Sequence, residues 1–395
     1  MTSPKPFLEV GFHQERKHSQ AACGDVFLSQ KIEDGHRVIS VLADGLGSGI
    51  KAAVLANLTA TMAIRYMASD MDPRKAAGII MATLPVCKVR QIAYSTFTIV
   101  EMEPWGATRV IEYDNPPFVF LRGADPVPVA TDSLPLPDIE GREAALRNTR
   151  LEARPGDRIV FFTDGVTQAG VGRHGTPLGW GQQAAIQHLV KAIRNQPRIS
   201  ARQLARSLAM QAVAMDGGQA KDDISCTVLY YREPREVLVL TGAPVSRAQD
   251  ARMAESARTF KGRKVICGGT TSAILSRELG RSLAMDLTSL DPEVPPVSSM
   301  DGFDLVTEGA ITLARTVRIL EEAEAPDRLR PNAATQLAGI LLDSDIIHII
   351  AGTRINEAMQ DPNLPEELDI RRNILRGLKK VMTEKYLKEV EVSFL

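Results

Sequence analysis

Four acidic signals in the first part of the chain stand where an apolar run meets a turn. They are Asp25 in CGDVF, Asp44 in VLADGLGSG, Asp164 in FFTDGV, and the pair Asp222–Asp223 in AKDDISCTV. A carboxylate at the edge of a buried strand is costly to desolvate unless it is paired or bound to a cation. Of the basic residues, only Lys51 and Lys221 directly accompany these motifs. Hard divalent cations such as magnesium or manganese take oxygen ligands and keep several waters. Aspartates converging from separate strands suit two such ions, which together clamp the attacking and leaving oxygens of a phosphoryl transfer. A glycine directly after the acid, as at Gly45, frees a backbone carbonyl to approach a metal. Taken singly, each Asp-Gly also reads as an ordinary turn, and Asp222–Asp223 as a solvated cap.

The elements that must position these acids follow from apolar periodicity. Strands are predicted over Val38–Ala43, Ser95–Glu103, Arg109–Tyr113, Phe118–Arg122, Asn148–Glu152, Arg158–Thr163 and Ile224–Arg232. Helices are predicted over Ile50–Met67, Pro73–Thr83, Gln182–Asn195 and Ser200–Met215. Blocks of strands and blocks of helices, rather than strict alternation, imply an α+β layered domain. Near residue 234 the pattern changes to alternating strand and helix, from Val237–Thr241 to Val390–Phe394, which reads as βαβ units on a mostly parallel sheet. Within it, helices are expected near 247–260, 271–279, 310–324, 333–342 and 370–385, and DPEVPPVSS (291–299) is expected to be a loop. The expected domains are 1–234 and 235–395.

Composition restricts the function classes. The chain has 395 residues, 44% hydrophobic and 24% charged, with a net charge of -1. That suits a two-domain globular protein and gives no electrostatic footprint for nucleic acid. No apolar run is long enough for a membrane span, and the start lacks the pattern of a signal peptide. The cysteines Cys23, Cys87, Cys226 and Cys267 are far apart. They support neither a zinc site nor a disulfide framework and read as small buried hydrophobes in a reducing, cytoplasmic setting.

The order GD, ADGLGSGIKAA, FFTDGVTQA and KDDISCTV resembles the stage II sporulation protein E (SpoIIE) branch of the metal-dependent PPM protein serine/threonine phosphatases, over roughly residues 8–232. YSTFTIVEM (94–102), EYDNPPFVFLR (112–122) and LEARPGDRIVFFTDGVTQA (151–169) extend the resemblance. It implies a PPM-type α-β-β-α sandwich of two antiparallel sheets. It further implies that Asp44 bridges two manganese or magnesium ions and that Gly45 contributes its carbonyl. Asp164 and Asp222 would complete the first ion's protein ligands, so Asp44, Asp164 and Asp222 form the catalytic set. Asp25 would act near the second ion through water, and Asp223 would support the metal site rather than ligate. The implied activity is hydrolysis of phosphoserine or phosphothreonine, with a regulator of the anti-sigma-antagonist type as substrate. Two departures stand out: Tyr113-Asp114-Asn115 replaces the relatives' Ala-Gly-His, and Arg16 cannot be aligned with the phosphate-holding arginine of other branches. His13, His18 and His36 are considered as proton donors, and none is singled out. The alternative is a non-catalytic scaffold that keeps the phosphatase fold and signals through its second domain.

GLGSGIK fits neither the Walker A nor the GxGxxG spacing. In the second domain, VICGGTTSAIL (265–275) runs from an apolar strand through Gly268, Gly269, Thr270 and Thr271 into a helix. The favoured reading is a tight strand–helix turn capped by Thr271 or Ser272; the other is an anion site on the helix amides. Two further strand ends, 241–248 and 306–314, could share one crevice with it, with Glu308 as a polar contact. A ligand there, and a sensing or docking role for this domain, are expectations only. No catalytic constellation supports a second enzyme acting on a nucleotide or sugar.

Overall fold

In a computed structural model of the chain, residues 5–32, 37–83, 95–136, 145–285, 294–322, 329–354 and 366–395 are described. The chain divides into two compact units, Met1–Glu233 and Pro234–Leu395. His36, Cys87 and residues 291–293 and 323–324 of the expected elements lie outside the described residues.

The first unit runs β1 (Phe7–Glu15), β2 (Asp25–Lys31), β3 (Val38–Gly45), α1 (Ile50–Ala68), α2 (Pro73–Thr83), β4 (Ser95–Met102), β5 (Ala107–Tyr113), β6 (Val119–Arg122), β7 (Asp125–Pro126), β8 (Thr131–Pro135), β9 (Ala145–Glu152), β10 (Asp157–Phe162), α3 (Asp164–Thr167), α4 (Gln182–Asn195), α5 (Ala201–Met215) and β11 (Ile224–Arg232). Two antiparallel sheets form, in the orders β1-β11-β10-β6-β7 and β2-β3-β4-β5-β9-β8. Their facing sides bury Leu42, Val100, Phe118, Ile159, Phe161 and Leu229. Helices α1 and α2 cover the outer face of the second sheet through Ala56, Ala60, Ile64 and Ile80. Helices α4 and α5 cover the first through Leu189, Leu204 and Leu208. This is the expected α-β-β-α sandwich. Strand β3 reads as one apolar run because both of its faces are covered: Ile39, Val41 and Ala43 meet α1, whereas Leu42 enters the inter-sheet core.

Strands β1 and β2 were not foreseen. Along β1 the more deeply buried side carries Phe7, Glu9, Gly11 and His13, which lacks an apolar alternation. Its glycine lets α5 come close, since a Cβ on Gly11 would lie 2.2 Å from the carbonyl carbon of Ala201. Glu9 is buried but matched: its Oε2 accepts from Arg232 Nη2 at 2.7 Å, and its Oε1 accepts from the first amide of α5 at 3.1 Å.

Glu112 on β5 is a second buried carboxylate. It accepts from the Phe118 amide at 2.7 Å and pairs with Arg147 at 3.2 Å. Burial nevertheless wins over both partners and pushes its carboxyl up to about 7. A folded-state value above the ordinary 4.5 means the native state holds this proton longer than the unfolded chain. The stability so gained is complete below the unfolded value and is lost as pH rises through about 7. Compared by urea unfolding, the parent should therefore lose stability relative to Glu112→Gln between about pH 5 and about pH 8. A pH-independent difference would show that Arg147 holds the carboxylate charged throughout.

The second unit runs β12 (Glu236–Thr241), α6 (Arg247–Thr259), β13 (Arg263–Cys267), α7 (Gly269–Leu279), β14 (Leu283–Met285), β15 (Ser298–Met300), β16 (Leu305–Thr307), α8 (Ala310–Glu322), α9 (Ala333–Leu342), β17 (Ile346–Ala351), α10 (Glu366–Glu384) and β18 (Glu389–Phe394). The sheet order is β14-β15-β16-β13-β12-β17-β18. It is parallel from β16 to β18, with an antiparallel edge at β14 and β15. That edge was not foreseen, and β15 takes up the end of the segment expected to be a loop. Met253 and Ala257 of α6 and Leu275 of α7 pack on one face, and Leu313, Leu337 and Leu378 of α8, α9 and α10 on the other.

Candidate active site

The antiparallel register of β2 and β3 sets Asp25 directly opposite Asp44. Strand β4 continues the sheet, with Thr96 opposite Asp44 and Ser95 opposite Gly45. In the other sheet, β10 ends at Phe162, and Asp164 opens the single turn α3. Asp222 and Asp223 immediately precede β11, which pairs with β10. The two sheets thus bring all five carboxylates together. Asp44 is pushed up by burial first, then by the charges of Asp25, Asp164 and Asp222. Asp25 is also raised, chiefly by burial, and Asp223 and Asp164 add to the shift against the hydroxyls of Ser225 and Thr163. A field this negative favours a cation or a retained proton.

Hydrogen bonds fix the individual acids. Thr163 Oγ1 donates to Asp25 Oδ2 at 2.8 Å and accepts from the Ser225 amide, so Asp25 is sewn to β10 and β11. Gln168 Nε2 donates to Asp164 Oδ2 at 2.7 Å, one turn along α3. Asp223 accepts from the Lys17 amide on Oδ1 and the Gly24 amide on Oδ2, each at 2.8 Å. It anchors the segment between β1 and β2 that delivers Asp25. Asp222 Oδ1 accepts from the Asp223 amide at 3.0 Å and lies 3.4 Å from Lys17 Nζ.

The glycines after Asp44 also shape the packing and the turn. A Cβ on Gly45 would lie 2.1 Å from the Ala52 carbonyl oxygen, so Gly45 is required for α1 to lie against the strand end. Gly47 and Gly49 take positive φ values of 109° and 72°, which turn the chain into α1. Lys51 is exposed, and Lys221 donates to the Val171 carbonyl instead of serving a carboxylate. Sequence reasoning missed Lys17 as the basic neighbour of Asp222, because the two are about as far apart in sequence as the domain allows. Arg16 donates to the Ala21 carbonyl at 2.9 Å, and His13 pairs with Glu15. At the departure from the relatives' Ala-Gly-His, Asp114 occupies the left-handed region with φ of 56°. A glycine would avoid the strain of that conformation. Asn115 then links Thr96 and Thr98: its Oδ1 accepts from the Thr96 hydroxyl at 2.6 Å and its Nδ2 donates to the Thr98 hydroxyl at 3.1 Å.

The donor set is hard oxygen throughout, which fits magnesium or manganese. Among the described residues no three His, Cys, Asp or Glu side chains are arranged to enclose an ion by themselves. Cations of this class keep several waters in their coordination shell.

Two antiparallel sheets between helix layers, with an acidic cluster where both sheets end, define a layered α+β protein with a cation-attracting site. Residues 34–232 match the family described as Stage II sporulation protein E (SpoIIE), and the chain belongs to that family. No curated protein matches the chain. Among solved structures it is similar to the PP2C phosphatase domain with a fragment of the regulatory domain of SpoIIE from Bacillus subtilis, at 17% identity and a TM-score of 0.48. That likeness covers 58% of this chain and 65% of the other, so the chain spans less than two thirds of it. It is also similar to the RsbU and RsbW domains of Rv1364c from Mycobacterium tuberculosis, at 15% identity, 65% and 68% coverage and a TM-score of 0.47. A third similar structure is the PPM Ser-Thr phosphatase MsPP from Mycobacterium smegmatis in complex with cacodylate, at 15% identity, 58% and 99% coverage and a TM-score of 0.39. Among the described residues no helix is long and apolar enough to cross a membrane.

At the end of β13 neither Thr271 nor Ser272 caps α7. The N-cap is Gly268, with φ of 140° and no side-chain cap hydrogen bond, and Ser272 Oγ bonds back to the Gly269 carbonyl. The capped-turn reading is thus corrected.

Proposed function

We propose that the protein hydrolyses phosphoserine or phosphothreonine on a regulatory protein, using divalent metal ions held by the acidic cluster, with the C-terminal unit as a sensing or docking module. The observation that carries this reading is the pairing of Asp25 with Asp44 across β2 and β3, in the field of Asp164 and Asp222. Asp44, Asp164, Asp222 and the Gly45 carbonyl are the groups to hold two manganese or magnesium ions, with Asp25 reached through water and Asp223 positioning the loop. Bound there, such ions supply a water of lowered pKa and neutralise charge on the transferring phosphoryl group. The chain's own contribution is placement. Thr163 orients Asp25, Gln168 orients Asp164, and Lys17 holds a positive charge beside Asp222. Family resemblance supports a small cytoplasmic regulator of the anti-sigma-antagonist type as the substrate.

Metal-stripped protein assayed on a phosphoserine peptide should be inactive, recover with manganese or magnesium, and lose activity again with EDTA. Failure to hydrolyse any phosphoester with either ion would leave a phosphatase-fold scaffold as the better description.

A further inference from the structure

In the C-terminal unit the parallel strands run in the order β16-β13-β12-β17-β18. After β12 the chain passes to α6 on one face of the sheet, and after β17 it passes to α10 on the other. The carboxyl ends of β12 and β17 are therefore the point where the winding reverses, and ligands of open α/β sheets collect at such points.

Three features converge there. Helix α7 starts bare: its amides at Gly269, Thr270 and Thr271 precede the first intrahelical bond, from the Ser272 amide to the Gly268 carbonyl. Gly269 faces open space, with nothing within 4 Å of where its Cβ would be. Second, the Thr271 hydroxyl is fully buried at 0% exposure and has no hydrogen-bond partner among the described residues. It sits 3.0 Å from the position of a Cβ on Gly268, and that position is 3.9 Å from the Gly242 amide nitrogen. The hydroxyl thus faces the interval between the turns that follow β12 and β13. Third, Arg371 of α10 crosses the same turn from the opposite side. Its Nη1 donates to the Gly352 carbonyl at 3.2 Å, and a Cβ on Gly242 would lie 2.7 Å from that nitrogen.

We propose that this edge binds the phosphoryl group of a small phosphorylated ligand, with the first amides of α7 and the Thr271 hydroxyl as donors and the Arg371 guanidinium as counter-charge. An unpaired buried hydroxyl is unfavourable until something accepts its proton. A helix start with open amides favours an anion, and a guanidinium suits a tetrahedral oxyanion. Glycines at 242, 268 and 352 let these turns and the Thr271 and Arg371 side chains come together closely.

The test is calorimetric titration of the full chain in EDTA, with inorganic phosphate, ribose 5-phosphate and ADP as separate probes into the millimolar range. Saturable binding of at least one probe is expected, and the probe that binds best tells free phosphate from a phosphorylated organic compound. Thr271→Val, which keeps shape and removes the hydroxyl, should weaken that binding fivefold or more while leaving the melting temperature equal or higher. Arg371→Gln should weaken it by at least as much. Asp44→Ala, in the other unit, should leave it unchanged. No saturable binding of any probe overturns the proposal. So does a loss in Thr271→Val smaller than fivefold, or binding that disappears with Asp44→Ala, which would move the anion to the acidic cluster.

Discussion

Asp44→Asn is expected to abolish metal-dependent phosphoester hydrolysis, by about 10³-fold or more, while leaving metal-free protein at least as stable as the parent. The two halves of this expectation have one cause. Asp44 is half-buried, faces Asp25 across the β2–β3 ladder, and also feels Asp164 and Asp222. Without a cation, its charge is a liability, and an amide of the same shape relieves it. With cations, the same charge is what draws them in, and losing a group that stabilises developing charge in a closed site costs about 10²- to 10³-fold even for a single neutral donor. Manganese should therefore raise the melting temperature of the parent more than that of the variant, since only a species that binds the ion gains by mass action. The readouts are initial rates on a phosphoserine peptide and thermal unfolding with EDTA or manganese. A variant that melts well below the parent in EDTA would mean that Asp44 holds the fold by a bond unrelated to a cation.

The acids were visible in the sequence because chemistry of this kind breaks a local rule: a charge ends a strand that is otherwise apolar on both faces. Strands β3, β10 and β11 were equally plain, being buried on both sides, and so were β12, β13 and β17 in the parallel sheet. Strand β1 was hidden for the opposite reason. Its inward side offers Glu9, Gly11 and His13, and the burial of Glu9 and Gly11 makes sense only once Arg232 and the start of α5 are in place, some two hundred residues on. Strands β14 and β15 have three residues each, too few for any period to register. The support around the acids was hidden as well. Neither Lys17 beside Asp222 nor the grip of Asp223 on the Lys17 and Gly24 amides leaves a trace in local sequence, because each is a contact between distant segments. The close approach of the Ala52 backbone in α1 to the glycine after Asp44 was equally hidden, being a contact that only the fold creates.

The glycine after the other strand-end acid gives the second large effect. Gly165 lies in the single turn α3, and a Cβ there would sit 2.0 Å from the carbonyl oxygen of Asp223 and 2.9 Å from its carbonyl carbon. No rotamer can relieve a clash between two backbones, so α3 or the start of β11 must move. Overpacking of this kind costs about 1–3 kcal/mol where side chains can yield, and more where they cannot. The displaced segment carries Asp222 and Asp223, and through the Asp223 oxygens it holds the Lys17–Gly24 segment that leads to Asp25. Gly165→Ala should thus lower the melting temperature sharply and reduce activity about 10²-fold or more in the molecules that still fold, because a small misplacement of positioning groups has effects of that order. Stability and activity fall together here, whereas Asp44→Asn separates them, so the pair distinguishes loss of geometry from loss of charge. Gly269 gives the contrasting case: at the first position of α7, with no left-handed φ and open space at its Cβ, alanine is expected to be tolerated and to gain up to about 0.4–1 kcal/mol through the unfolded chain. If Gly165→Ala instead unfolds at the parent's temperature with full manganese-dependent activity, the contact between α3 and Asp223 does not set the geometry of the acidic cluster.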